Sequence, residues 1–156
     1  MGLSKQCVRR VGRSKWSALV ATGVVVGAMA AIAIAATPTA MKGTARVSGK
    51  SRSVVVDSRG QTLYAVSGER VGNLKCINQT CFSTWLPYKV MANQSLTRGA
   101  GVTGALSKLQ RVRARFFQVM LGGRPLYRYA GDNNSKGSAK GQGIRSFGGT
   151  WGVVSP

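Results

Sequence analysis

The chain has 156 residues, with 23 Lys and Arg against three Asp and Glu, no His, and a formal net charge of +20. Without His it lacks the usual general base and the commonest metal ligand, and three acids leave little from which to build a carboxylate site. A hydrophobic content of 44% excludes a disordered basic tail, so one domain plus an appendage is expected, with a surface drawn to anionic partners.

The stretch Ser17 to Ala36 holds 20 residues without a charge, and Lys5, Arg9, Arg10, Arg13 and Lys15 precede it. Roughly 20 apolar residues span a bilayer, and a basic region before an apolar one is the layout of an export signal. Residues 1–36 are therefore expected to form one N-terminal apolar helix, either a signal peptide cleaved near Ala35 or a retained signal-anchor. The charge distribution places the amino end in the cytoplasm and the remainder outside. Gly23 and Gly27, followed by Ala31 and Ala35, offer helix-pairing spacing, although Ala/Gly-rich signals produce it by chance.

Residues 37–52 carry Thr, Ser, Gly and basic residues without a clear apolar period, and are expected to be a flexible tether. Ser53 opens a β-branched run, a turn around Ser58-Arg59-Gly60, and a second run from Thr62 to Val66, the pattern of a hairpin. Cys76 and Cys81 follow. In an oxidising compartment their spacing reads as a short-loop disulfide. A zinc half-site would lack histidines, and a thioredoxin-like site needs a shorter spacing, but a thiol-disulfide redox pair is the enzyme-class alternative. Trp85 and Pro87 are expected to make a fixed corner, because Pro cannot donate to a ladder.

Arg111, Arg113 and Arg115 alternate with Val112 and Ala114, as an exposed basic strand would, with a bulge or turn near Phe116-Phe117. Such a row suits polyanion contacts, or simply an edge strand guarded against pairing. Gly122-Gly123 then signals a two-residue hairpin turn, Asn133 to Gly149 a Gly- and Ser-rich loop, and Thr150 to Val154 a last strand. A frame G-x-x-L-Y occurs at Gly60–Tyr64 and again at Gly123–Tyr127. The expected fold is mainly β: a small domain over 53–156, with two related β-hairpin units at about 53–90 and 116–156 and long loops between.

Within LYRYAGD, Tyr127 and Tyr129 fall on one strand face, with Asp132 just beyond the strand. With Tyr64 they form a possible ligand face; equally, the rings pack across a sheet while Asp132 ties a turn. Paired-carboxylate hydrolysis would need two of Asp57, Glu69 and Asp132 together, and no nucleophile motif frames a Ser-Lys pair.

The order VVVDSRGQTLY, Cys pair, W-x-P, Q-V-x-x-x-G-x-P-L-Y, Y-x-aromatic-x-x-D and W-x-V-V-x-P resembles the bacterial secreted-repeat lipoproteins of unknown function, over about residues 53–156. Tyr127, Tyr129 and Asp132 fall on the family's Y-x-(F/W/Y)-x-x-D motif. The first half departs from it, with Val66 for the second aromatic and Glu69 for the Asp, and the chain lacks a lipid-modification cysteine after the apolar segment. The resemblance implies a small β-rich envelope protein and brings no activity with it.

The expected function is a non-catalytic cell-envelope protein, exported and either membrane-anchored or released. Its cationic face would bind anionic envelope polymer or lipid headgroups, or serve a structural role, with no cofactor. Nucleic acid ranks below these partners, because no RNA-binding motif is present and an export signal points away from the cytosol.

Overall fold

The computed structural model describes residues 37–156. The apolar segment, its basic flank, Cys7, the Gly23/Gly27 spacing and the cleavage position near Ala35 lie outside the described residues.

The expected tether is a strand, β1 (Ala40–Val47), paired antiparallel along its whole length with β2 (Lys50–Asp57). Ala45 and Val47 face inward while Lys42, Thr44 and Arg46 face water, which is the period of two that a half-buried strand requires. The signal is weak because small residues carry much of the inward face. Gly43 is one of them, and a Cβ there would stand 2.7 Å from Val56 Cγ1. Ser48 and Gly49 close the hairpin with φ of 48° and 79°, the left-handed conformation that tight hairpin turns demand.

The next elements are β3 (Tyr64–Val66), the one-turn helix α1 (Gln79–Thr84), and strands β4 (Trp85–Pro87) and β5 (Lys89–Val90). Strands β6 (Leu106–Arg111) and β7 (Phe116–Leu121) flank a 3-10 turn at Val112–Ala114. The chain ends with β8 (Arg124–Pro125), β9 (Tyr127–Tyr129), a 3-10 turn at Ala130–Asp132, β10 (Arg145–Ser146) and β11 (Gly149–Val153). Three antiparallel sheets result: β1-β2, β10-β11-β3-β9-β4, and β5-β7-β6 with β8 added on β7. The fold is mainly β.

The hairpin expected over residues 53–66 shrinks to one bridge, Val56 to Thr62, because β2 spends its ladder on β1 and β3 pairs with β11 and β9. Trp85–Pro87 is an edge strand, not a corner; Pro87 is tolerated because β4 has a neighbour on one side only. Gly122 and Gly123, with φ of 56° and 75°, make the anticipated two-residue turn.

Within the five-stranded sheet, Tyr64 lies directly opposite Tyr127, so the two G-x-x-L-Y frames meet at its centre. Outward from that pair, Val66 sits opposite Trp151 and Tyr129 opposite Trp85. The bonds around the frames also correspond. Leu63 N–H donates to Val55 C=O, Val55 N–H to Val154 C=O, and Val154 N–H to Leu63 C=O. Leu126 N–H donates to Val119 C=O, Val119 N–H to Tyr88 C=O, and Tyr88 N–H to Leu126 C=O. An approximate two-fold axis thus passes between β3 and β9.

Alternation along β3 and β9 divides the interior. Leu63, Ala65 and Leu126 enter a core with Val55, Val119 and Val154, while Tyr64, Val66 and Tyr127 enter a second with Trp85, Trp151 and both cysteines. Trp85 and Trp151 stack face to face, centroids 3.8 Å apart, and Tyr64 and Tyr127 meet them edge-on, as the ring quadrupoles favour. A third, smaller cluster holds Val47, Val54 and Val56 against Ala139.

Candidate functional site

The motif residues come together, Tyr64 and Tyr127 inside the protein, Tyr129 and Asp132 along a cleft of about 230 Å³. The Tyr64 hydroxyl donates to Asp132 Oδ2 at 2.6 Å. Asp132 Oδ1 accepts from the Ser138 hydroxyl at 2.6 Å and from Lys140 N–H at 2.9 Å. The carboxylate therefore ties the start of the Gly-rich loop to a tyrosine from the other half of the chain. Burial raises the Tyr64 phenol above its ordinary range, and the nearby Asp132 charge adds to the rise.

The symmetry-related position repeats this with different residues. The Tyr127 hydroxyl donates to Glu69 Oε1 at 3.0 Å, and Glu69 Oε1 also accepts the N–H groups of Lys75 and Cys76. Glu69 and Asp132 stand at the same spacing after their tyrosines, yet each acid is claimed by the tyrosine of the opposite half. Burial, then the Glu69 charge, pushes the Tyr127 phenol up as well. Tyr129 remains half-buried, packed on Trp85 at 4.6 Å between centroids.

Arg111 joins this second network. Its Nε donates to Gln118 Oε1, its Nη1 to Cys76 C=O and its Nη2 to the Tyr127 hydroxyl, with Glu69 Oε1 at 3.8 Å. The arginine row expected on a single strand does not exist. β6 ends at Arg111, which is buried, and the 3-10 turn sends Arg113 outward before Arg115 takes φ 55°. The Arg111 guanidinium is turned inward onto the Tyr127 hydroxyl and Glu69.

Cys76 and Cys81 form a disulfide, Cα–Cα 5.5 Å, and neither sulfur-bearing residue reaches solvent. Asn78 caps α1 within the closed loop, its side chain accepting Cys81 N–H at 3.0 Å. Asp57, the third acid, accepts N–H groups of Arg59 and Gln61 and lies 3.6 Å from Arg128 Nε.

All three acids are thus consumed internally, at 1%, 3% and 7% exposure for Asp57, Glu69 and Asp132. Of the 18 Lys and Arg in residues 37–156, 14 are exposed. Among the described residues no acidic side chain faces solvent, so the outer field is of one sign.

The cations do not surround a smooth surface. A cleft of about 550 Å³ runs from α1 to the turn after β6, lined by Lys89, Arg113 and Arg128 together with Phe82, Leu86 and Phe116. Phe82 and Phe116 meet edge to face at 5.7 Å, and Lys89 Nζ lies 4.6 Å above the Phe116 ring. A second cleft of about 340 Å³ shares Ile77, Phe82, Arg113 and Ala114 with the first and adds Leu74 and Val112. Val112 and Ile77 are 72% and 64% exposed. These residues were missed in the sequence because Val112 reads as a member of an alternating strand; the strand ends at Arg111, and the 3-10 turn at Val112–Ala114 leaves Val112 exposed.

Residues 117–155 match the model of a family described as a secreted repeat of unknown function. The match covers β7 through β11, including Tyr127, Tyr129 and Asp132, and does not extend to the first half, where the resemblance was also expected. The family's description as secreted agrees with the export expected from the N-terminal segment. No curated protein and no solved structure matches the chain.

Proposed function

We propose that this is an exported, non-catalytic cell-envelope protein whose domain binds anionic envelope polymer through its cationic surface. The observation that carries the reading is the burial of every acid while 14 cations stay exposed. A solvated surface of mixed charge would discriminate among partners by local pattern; a surface of one sign attracts any extended polyanion and repels its own copies. The N-terminal apolar segment serves as signal or anchor, and the secreted character of the matching family supports export. The paired hydrogen-bond triangles support reading the two halves as related units, the first diverged from the second. The redox alternative finds no support in the disulfide's surroundings, since an exchanging sulfur must be reached by a partner thiolate and both cysteines are fully buried.

The test is binding of the full chain to poly(glycerol phosphate) as a function of salt. Affinity should fall about tenfold or more between 50 and 200 mM salt, with a linear dependence of log affinity on log salt. Uncharged dextran should not bind. Salt-independent binding, or none at low salt, refutes the polyanion reading.

A further inference from the structure

We infer that the groove between α1 and the turn at Val112–Ala114 docks the protein on the surface of an anionic phospholipid bilayer. This rests on the envelope reading above and assigns one face of the domain within it. The two clefts that share Ile77, Phe82 and Arg113 differ in character. Only one has Lys89 and Arg128, with Phe116, and only the other has Leu74 and Val112. A partner that fills both must carry negative charge and hydrocarbon within a few ångströms of each other. The headgroup and first methylenes of an anionic lipid have that layout, repeated across a surface.

The turn fits the same partner. Val112 opens a 3-10 turn and Arg113 and Arg115 follow it, all exposed, so an apolar side chain is accompanied by cations. Arginine stems lie along apolar surface while their heads remain at headgroup level. Leu86 adds a third exposed apolar side chain on the groove wall. A second copy of this chain is a poor occupant, since its described surface offers no acidic side chain to meet Lys89 and Arg113. An extended wall polymer would satisfy the cations and leave Val112 and Ile77 in water.

The experiment places a nitroxide at Val112→Cys or Leu86→Cys in the full chain, with Cys7→Ser removing the other free thiol, and Thr44→Cys on β1 as the reference outside the groove. The probe membrane is a vesicle of equal parts phosphatidylglycerol and phosphatidylcholine, compared with phosphatidylcholine alone. Accessibility to oxygen relative to a water-soluble nickel complex should rise several-fold at Val112 and Leu86 on the anionic vesicle. It should not rise at Thr44, nor on the neutral vesicle. Lys89→Glu with Arg113→Glu should return the Val112 label to water. Val112→Asp should do the same for the Leu86 label while poly(glycerol phosphate) binding persists. Labels that stay aqueous on anionic vesicles overturn the docking face and leave the polyanion reading standing if the polymer still binds. Labels that become shielded without vesicles, in a concentration-dependent way, overturn it in favour of self-association. Loss of both vesicle and polymer binding overturns both readings.

Discussion

Replacing Tyr64 with Phe removes one oxygen and leaves the ring that packs on Trp85 and Tyr129. No cavity forms, so the change isolates the hydroxyl. Asp132 Oδ2 loses a 2.6 Å bond, and the long contact from Gly141 N–H at 3.4 Å loses its acceptor. A hydrogen bond to a charged group contributes about 1.5–3 kcal/mol, and a buried carboxylate oxygen left unmatched falls in the upper part of that range. Tyr64→Phe is therefore expected to destabilise by about 2.5 kcal/mol, against about 4 kcal/mol for Tyr64→Ala, which also empties the core. Denaturant unfolding of the full chain, followed by Trp fluorescence, measures the difference, since Trp85 and Trp151 are stacked beside Tyr64. Hydrogen exchange at Lys140 N–H should accelerate, because the same carboxylate holds that amide. Poly(glycerol phosphate) binding should not change. A loss under about 0.5 kcal/mol would refute the clamp, because surface substitutions alone reach that size. Weakened polymer binding at unchanged stability would instead make the motif a ligand face.

Three further outcomes follow from the interior. Arg111→Met should cost about 3 kcal/mol or more by thermal or denaturant unfolding, since it strips Glu69 of its buried cation and Cys76 C=O of its donor. Cys76→Ser with Cys81→Ser should cost about 2 kcal/mol, the loop-closure value for a sequence separation of 5, with polymer binding at low temperature retained. The pH dependence has a definite sign. Tyr64 and Tyr127 have folded pKa values raised above the unfolded value near 10, so the folded state keeps protons that the unfolded state releases. Stability from these groups is complete below pH 10 and is lost above it, by up to about 2.7 kcal/mol per pH unit for the two together. In Tyr64→Phe the alkaline slope should lose one tyrosine's share, leaving those of Tyr127 and of Tyr88, whose phenol burial also raises, and an unchanged slope would contradict the assignment.

Much of the fold was legible locally. β-branched runs, the Gly122-Gly123 turn and the final Trp151 strand carry their own signals, and each produced a strand or turn where it was expected. β1 was not legible, because Gly43 and Ala45 supply an inward face too small to register as apolar, and only the partner strand β2 explains it. The hairpin at residues 53–66 was legible at its turn, where Gly60 N–H donates to Asp57 C=O and Asp57 N–H to Gln61 C=O, but not in its strand pairing. Its two runs are real, but each found a better partner elsewhere in the chain, which no local pattern encodes. The candidate site divides the same way: LYRYAGD could be found by its spacing, whereas Lys89, Ile77 and Val112 lie apart in sequence and line two clefts that share Ile77, Phe82 and Arg113.

The one-sided charge, the β-rich character, the short disulfide loop and the recurrence of G-x-x-L-Y depend on composition or on neighbours along the chain, and are legible before folding. Which tyrosine answers which acid was decided by the tertiary structure. The pairing crosses between halves because β3 and β9 run antiparallel at the centre of one sheet, carrying each hydroxyl to the opposite half. The same burial that encloses Asp57, Glu69 and Asp132 removes negative charge from the described surface, so a count of charges became a cationic face only once the chain had folded.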